Sequence, residues 1–197
     1  MAQKITDSKP KDPASKPNLE RQKLPSETIR RPSPENQKEI DKSLLEASKN
    51  WDAVGVKRLL DAGANANAKD DGKRTALMRA SYMGDIETCK LLIENGADMN
   101  AQDEDGWNAL VYAASEGRTE ACGFLIRNKM DIEKRDRYGR TALMCAAYNG
   151  RTEACRFLIM KGANIEATDY YGKTALMDAL HNGHAETAKI LKGREKP

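Results

Sequence analysis

Six residues could carry reactive chemistry: Cys89, Cys122, Cys145, Cys155, His181 and His184. Thiols can form disulfides, hold zinc or act as nucleophiles, and imidazoles can ligate metals or move protons. The spacing argues for none of these. Cys89, Cys122 and Cys155 are 33 residues apart, Cys145 stands outside that series, and no C-x-x-C pair exists. Cysteines at one position of successive packed helices lie about 8–10 Å apart, beyond the roughly 7 Å between Cα atoms that a disulfide tolerates, and they do not converge as zinc ligands must. They read as core residues. His181 and His184 flank the turn His181-Asn182-Gly183-His184 without a Ser or Cys partner in a nucleophile motif. The chain also has no phosphate-binding loop and no H-E-x-x-H. The expectation is a protein that is not an enzyme, with no catalytic residue, cofactor or metal.

The period that separates the cysteines governs the whole of the later chain. RTALM at 74–78 returns at 140–144 and as KTALM at 173–177, with WNALV at 107–111 between them. Thr75, Asn108, Thr141 and Thr174 therefore form a ladder in steps of 33. Leu77, Leu110, Leu143 and Leu176 follow the same step, as do Ala80, Ala113, Ala146 and Ala179. So do Gly84, Gly117, Gly150 and Gly183, and Leu92, Leu125, Leu158 and Leu191. Such self-similarity is the mark of stacked units.

Each copy predicts the same local structure. Thr75 or Asn108 caps a helix start, with Leu77 and Ala80 following on one face. Gly84 ends that helix, and ETCKLLIENG places Cys89, Leu92 and Ile93 on one side of a second, antiparallel helix closed by Gly96. ADMNAQDEDGW, rich in Asn, Asp and Gly, is an extended turn. A unit of this kind cannot bury its apolar faces alone, so units must stack.

The TALM elements at a period of 33, together with DAGANANAKD at 61–70, ENGADMNAQD at 94–103, KGANIEATD at 161–169 and GHAE at 183–186, resemble the ankyrin repeat. The resemblance covers about residues 35–197 and implies an all-α solenoid of five stacked helix-turn-helix repeats with extended hairpin-like turns: 35–69, a divergent N-terminal capping repeat, then 70–102, 103–135, 136–168, and 169–197 as a C-terminal capping repeat. The first helix is expected to start at Ser33-Pro34-Glu35, with Ile40, Leu44 and Ala47 inward. Lys192, where earlier copies have Ile93, Ile126 and Ile159, suggests a polar end to the stack. His184 matches the family's Gly-His start of the second helix and is expected to cap it.

The pattern departs from the family in three places. The Pro and His usual in the family's element are replaced by Ala76, Ala109, Ala142 and Ala175 and by Met78, Val111, Met144 and Met177, which predicts apolar packing in place of a polar network. Gly72 comes one residue earlier than Gly106, Gly139 and Gly172, which predicts a different shape for that turn. Lys129 stands where Gly63, Gly96 and Gly162 cap their helices, and should carry the strain of a left-handed backbone.

The first 34 residues have another character. They hold six of the seven prolines and none of the fourteen glycines, with eight Lys and Arg against four Asp and Glu. That is a net +4, which leaves −1 for the rest of a chain whose total is +3. A segment so poor in large apolar residues cannot offset its ordering entropy, so residues 1–34 read as a disordered basic tail. Within it, Pro10 and Pro13 form a weak P-x-x-P, and Arg30-Arg31-Pro32-Ser33-Pro34 would suit phosphorylation of Ser33. No apolar run approaches 18 residues, and the N-terminus lacks the apolar core of a secretory signal. A cytoplasmic protein is expected, with the nucleus as the alternative.

Function should lie where the copies differ. By the resemblance, the turn tips and the exposed face of the first helices line a concave groove that binds other proteins. The matching positions are Arg74, Tyr82, Met83, Glu104, Trp107, Tyr138, Arg140, Tyr148, Tyr170, Tyr171, Lys173 and His181. Five of the six tyrosines and one of the two tryptophans fall in this region, and such residues are enriched in binding hot spots. Acidic residues at Asp103-Glu104-Asp105 and basic ones at Lys134-Arg135-Arg137-Arg140 give the face an expected polarity. The reading is a monomeric scaffold or adaptor that binds a protein partner through the concave face, with no membrane or small-molecule substrate. The alternatives are an inhibitor of a partner enzyme, or a nucleic-acid-associated regulator that uses the basic tail.

Overall fold

The computed structural model describes residues 33–193. The expected disordered tail, up to residue 32, and residues 194–197 lie outside the described residues. Five antiparallel helix pairs follow one another: α1 (Pro34–Ala47) with α2 (Ala53–Asp61), α3 (Ala76–Met83) with α4 (Ile86–Glu94), α5 (Ala109–Ser115) with α6 (Thr119–Arg127), α7 (Ala142–Tyr148) with α8 (Thr152–Met160), and α9 (Ala175–His181) with α10 (Ala185–Lys192). Among the described residues there is an isolated bridge, Lys69 with Thr75, and no strand. No described helix is long and apolar enough to cross a membrane.

The first helices pack on one another in one layer and the second helices in another. From α3 onward the first helices approach each other more closely than the second helices do, which makes their open side the inner face of the stack. Between the layers runs a core built from the repeating positions: Leu77, Leu110 and Leu143 are 1% exposed, and Leu92, Leu125, Leu158 and Leu191 are fully buried. Each such leucine contributes about 1.5–3 kcal/mol on burial. Ala80, Ala113, Ala146 and Ala179 are fully buried as well, and their small side chains let successive first helices approach.

The predicted caps are in place. Thr75, Asn108, Thr141 and Thr174 accept the amides of Met78, Val111, Met144 and Met177, an arrangement that contributes about 1 kcal/mol per helix. Ser33 caps α1, accepting the Asn36 amide, and Pro34 is its first helical residue, so the last two residues read as tail belong to this helix. Leu44 is buried as expected, while Ile40 and Ala47 are partly buried.

Other readings need correction. His184 does not cap α10 with its side chain; its Nε2 lies 3.0 Å from the Tyr148 carbonyl of the preceding repeat. Arg118 Nε donates to Tyr82 O at 3.1 Å and Arg151 Nε to Ser115 O at 2.9 Å, over the same separation of 36 residues. A repeated staple thus joins each of the last three units to the one before. The glycine beneath must stay small, since a Cβ on Gly150 would lie 2.5 Å from the His184 ring. Asp85 breaks the series, because its carboxylate accepts from the Thr88 amide and hydroxyl and caps α4 instead.

The turn containing Gly72 keeps the shape of the others. Lys73 takes the left-handed position of Gly106, Gly139 and Gly172 with φ 61°, because the Asp70 carboxylate ties down the Gly72 and Arg74 amides as its equivalents do in later repeats. The last repeat is also less polar outward than expected. Met177 and Leu180 are 53% and 51% exposed, whereas Met144 and Ala147, one repeat earlier, are covered by α9.

Lys129 is left-handed at φ 70°, where Gly96 and Gly162 show 83° and 93° with open space around them. Lys129→Gly removes a Cβ strain of about 1 kcal/mol, against some gain of freedom in the unfolded chain. Thermal melting of the variant is expected to show a stabilisation of about 0.5–1 kcal/mol. A lower melting temperature than wild type would contradict it.

Candidate partner-binding face

Each extended turn is held by one aspartate: Asp70, Asp103, Asp136 and Asp169. Its Oδ1 accepts two backbone amides two and four residues on, at 2.8–3.0 Å in all four turns. Its second oxygen is left to face the inner side of the stack. Nine residues further on, the inner face of each first helix presents Arg79, Tyr112, Cys145 and Asp178 in turn. Arg79 Nη2 lies 2.7 Å from Asp70 Oδ2, and Tyr112 Oη donates to Asp103 Oδ2 at 2.6 Å. Asp136 Oδ2 is satisfied instead by Arg140 Nε at 2.8 Å and Trp107 Nε1 at 3.2 Å.

Burial pushes Asp70 up, but hydrogen bonds from Arg74 and Arg79 outweigh it and hold the carboxyl below the usual range. The Tyr112 hydroxyl is raised, by burial first and by the Asp103 carboxylate second. Tyr112 is the centre of an aromatic run, with its ring edge-on to Trp107 at 5.2 Å and to Tyr82 at 6.3 Å. Arg140 lies 5.0 Å from the Tyr138 ring centre and 5.8 Å from that of Trp107.

Two cavities open on this face. The first, of about 520 Å³, is lined by Lys49, Asn50, Arg74, Met78, Arg79, Tyr82, Met83 and Tyr112. The second, of about 230 Å³, lies between the last two repeats and has Tyr138, Arg140, Tyr148, Asp169, Tyr171, Lys173 and Asp178 in its walls. Eight of the twelve residues singled out by sequence thus line one cavity or the other. Trp107 is half-buried and bonded, which makes it a support for the face. Glu104, Tyr170 and His181 are exposed outside both cavities, the Tyr170 ring lying against Gly139.

The expected polarity is partly spent within the stack. Glu104 lies 3.9 Å from Lys73, Asp105 lies 3.9 Å from Arg137, and Arg140 is held on Asp136. Arg135 donates to the Gly139 and Thr168 carbonyls. A buried carboxylate with no ion-pair partner among the described residues lies elsewhere, at Asp178, a residue that the variable positions alone did not mark. A signal was available in the nine-residue step from the turn aspartate, which also finds Arg79 and Tyr112.

Asp178 is 7% exposed. Burial, then the nearby Asp169, push its carboxyl above the ordinary 3.8, against the pull of Lys173, Arg140 and His181. Well below pH 3.8 the carboxyl is protonated in both folded and unfolded chains and costs nothing. As pH rises the unfolded chain ionises first, so stability falls until the folded carboxyl has ionised too. Asp178→Asn is expected to raise the melting temperature at pH 7 by about 2–4 °C, the shift that about 1 kcal/mol gives in a domain of this size. The gain should vanish near pH 3, and equal melting at pH 7 would contradict the assignment.

The four cysteines are buried, and burial pushes the thiols of Cys89, Cys122, Cys145 and Cys155 up to about 12. Native protein at pH 8 should therefore take up iodoacetamide far more slowly than protein unfolded in urea. Rapid labelling of any one cysteine in the native state would show that its helix opens.

The comparisons with known proteins agree with this architecture. A search against curated proteins returned no match. A family model described as ankyrin repeats (3 copies) matches residues 44–136, 83–169 and 125–196, which together cover more than three-quarters of the chain. The 33-residue period, the paired helices and the aspartate-held turns are accounted for together: the chain belongs to the ankyrin-repeat family.

Proposed function

We propose that this protein is a non-enzymatic scaffold or adaptor that binds a protein partner through the inner face of its first helices and turn tips. Ankyrin repeats generally serve as protein-protein interaction modules. The observation that carries the reading is the row of exposed aromatic side chains on the variable positions of one face. Tyr82 is 42% exposed, Tyr138 39%, Tyr148 48% and Tyr171 74%, and all four border the two cavities. A tyrosine half in water buries large area on binding at small entropy cost, which is why such residues concentrate in hot spots.

The charges around them are held in place rather than free. Arg79 bridges Asp70 and Glu46, and Arg140 is fixed on Asp136, so the surface is ordered before a partner arrives. Preorganisation of this kind lowers the cost of binding.

The test compares proteins recovered from native lysate by the wild type and by a Tyr82→Ala, Tyr148→Ala, Tyr171→Ala variant. All three side chains are exposed, so the variant should fold with a melting temperature close to wild type. Loss of a protein held by the wild type, by at least tenfold, is expected. Recovery of the same proteins by both would refute binding through this face.

A further inference from the structure

In the second and third repeats the free oxygen of the turn aspartate receives a donor from the residue nine positions on, Arg79 for Asp70 and Tyr112 for Asp103. In the fourth, Arg140 and Trp107 do this for Asp136. The last repeat lacks any such donor. Lys173, at the position of Arg140, does not reach Asp169, and the residue nine positions on is itself an acid, Asp178. Among the described residues no side chain donates to Asp169 Oδ2 or to the Asp178 carboxylate, and no cation comes within ion-pair distance of either. Asp178 is nevertheless more than nine-tenths buried, in the wall of the second cavity. Its carboxylate oxygens remain open to that cavity, so a proton donor and a positive charge entering there would stabilise it.

The rest of the cavity suits a cation on a long stem. Tyr138, Tyr148 and Tyr171 border it, and ring faces attract an ammonium or guanidinium while covering aliphatic carbons. The wall holds Asp169 and Asp178 against Lys173, which reaches neither carboxylate, and Arg140, already committed to Asp136 at 2.8 Å, so among the described residues an anion would face two unpaired carboxylates and a single free cation. The volume of about 230 Å³ has room for one long side chain.

We propose that this cavity receives a lysine or arginine side chain of the protein partner, whose charge sits on Asp178 and Asp169 and whose stem lies among Tyr138, Tyr148 and Tyr171. The partner supplies the donor that the earlier repeats carry internally. This rests on the inner face being the binding face, and adds to it the chemistry of the anchor residue.

A random dodecapeptide phage library selected on the full chain tests the two readings separately. The expected result is a set of peptides sharing one basic position. Changing that residue to norleucine should weaken binding about tenfold or more, Asp178→Asn in the protein should do the same, and the two changes together should lose little beyond either alone. Asp178→Asn removes only a charge, and its melting temperature, at or above that of wild type, certifies the fold. Peptides that need Tyr82 and Tyr171 but share no basic residue, or bind Asp178→Asn equally well, would overturn the cation site and leave the binding face standing. Peptides indifferent to the tyrosines, or no selection at all, would count against both.

Discussion

The turn aspartate is the constraint on which the rest of the molecule depends. One carboxylate oxygen gathers two backbone amides and so shapes each extended turn, and that turn delivers Thr75, Asn108, Thr141 or Thr174 to the start of the next helix. In the second and third repeats the helix then aims Arg79 and Tyr112 back at the second oxygen of the same carboxylate. Asp136 serves the same ends with other donors: its side chain is fully buried and takes the amides of Tyr138 and Arg140, the Arg140 guanidinium from the turn and the Trp107 indole from the preceding repeat. Scaffold and candidate binding face are joined at this group, since the carboxylate that folds the turn through one oxygen orients surface side chains through the other.

Most of the fold could be read from the residues because it is a matter of local rules repeated in register. Helix caps, core leucines and joint glycines each need only a few neighbours, and the period of 33 supplies the stacking. What escaped was set by contacts between repeats. His184 looks like a cap within its own helix, but the staple to Tyr148 spans 36 residues and belongs to two units at once. The early Gly72 suggested an altered turn. The hydrogen bonds of Asp70 decide the backbone there, and Lys73 accepts the left-handed conformation.

The face itself was partly legible. Aromatic residues at varying positions pointed to the side of the stack on which the two cavities open, whereas charge taken residue by residue was less informative, because Lys73, Glu104, Asp105 and Arg137 are paired with each other across repeats. Trp107, the most conspicuous residue in the sequence, turns out to be bonded and half-covered. Asp178 does not stand out as an isolated acid on a short helix, and its only signal is the nine-residue step that relates it to Asp169.

The staples also set how the stack behaves as a mechanical object. Arg118, Arg151 and His184 fasten three successive junctions, while Asp85 turns its side chain inward and leaves the junction between the first two repeats without one. Nearest-neighbour coupling governs the cooperativity of a linear array. The three later junctions therefore share one kind of fastening, whereas the first is held by another set of bonds, from Asn67 to Gly96 and Asp98 and between Arg79 and Glu46.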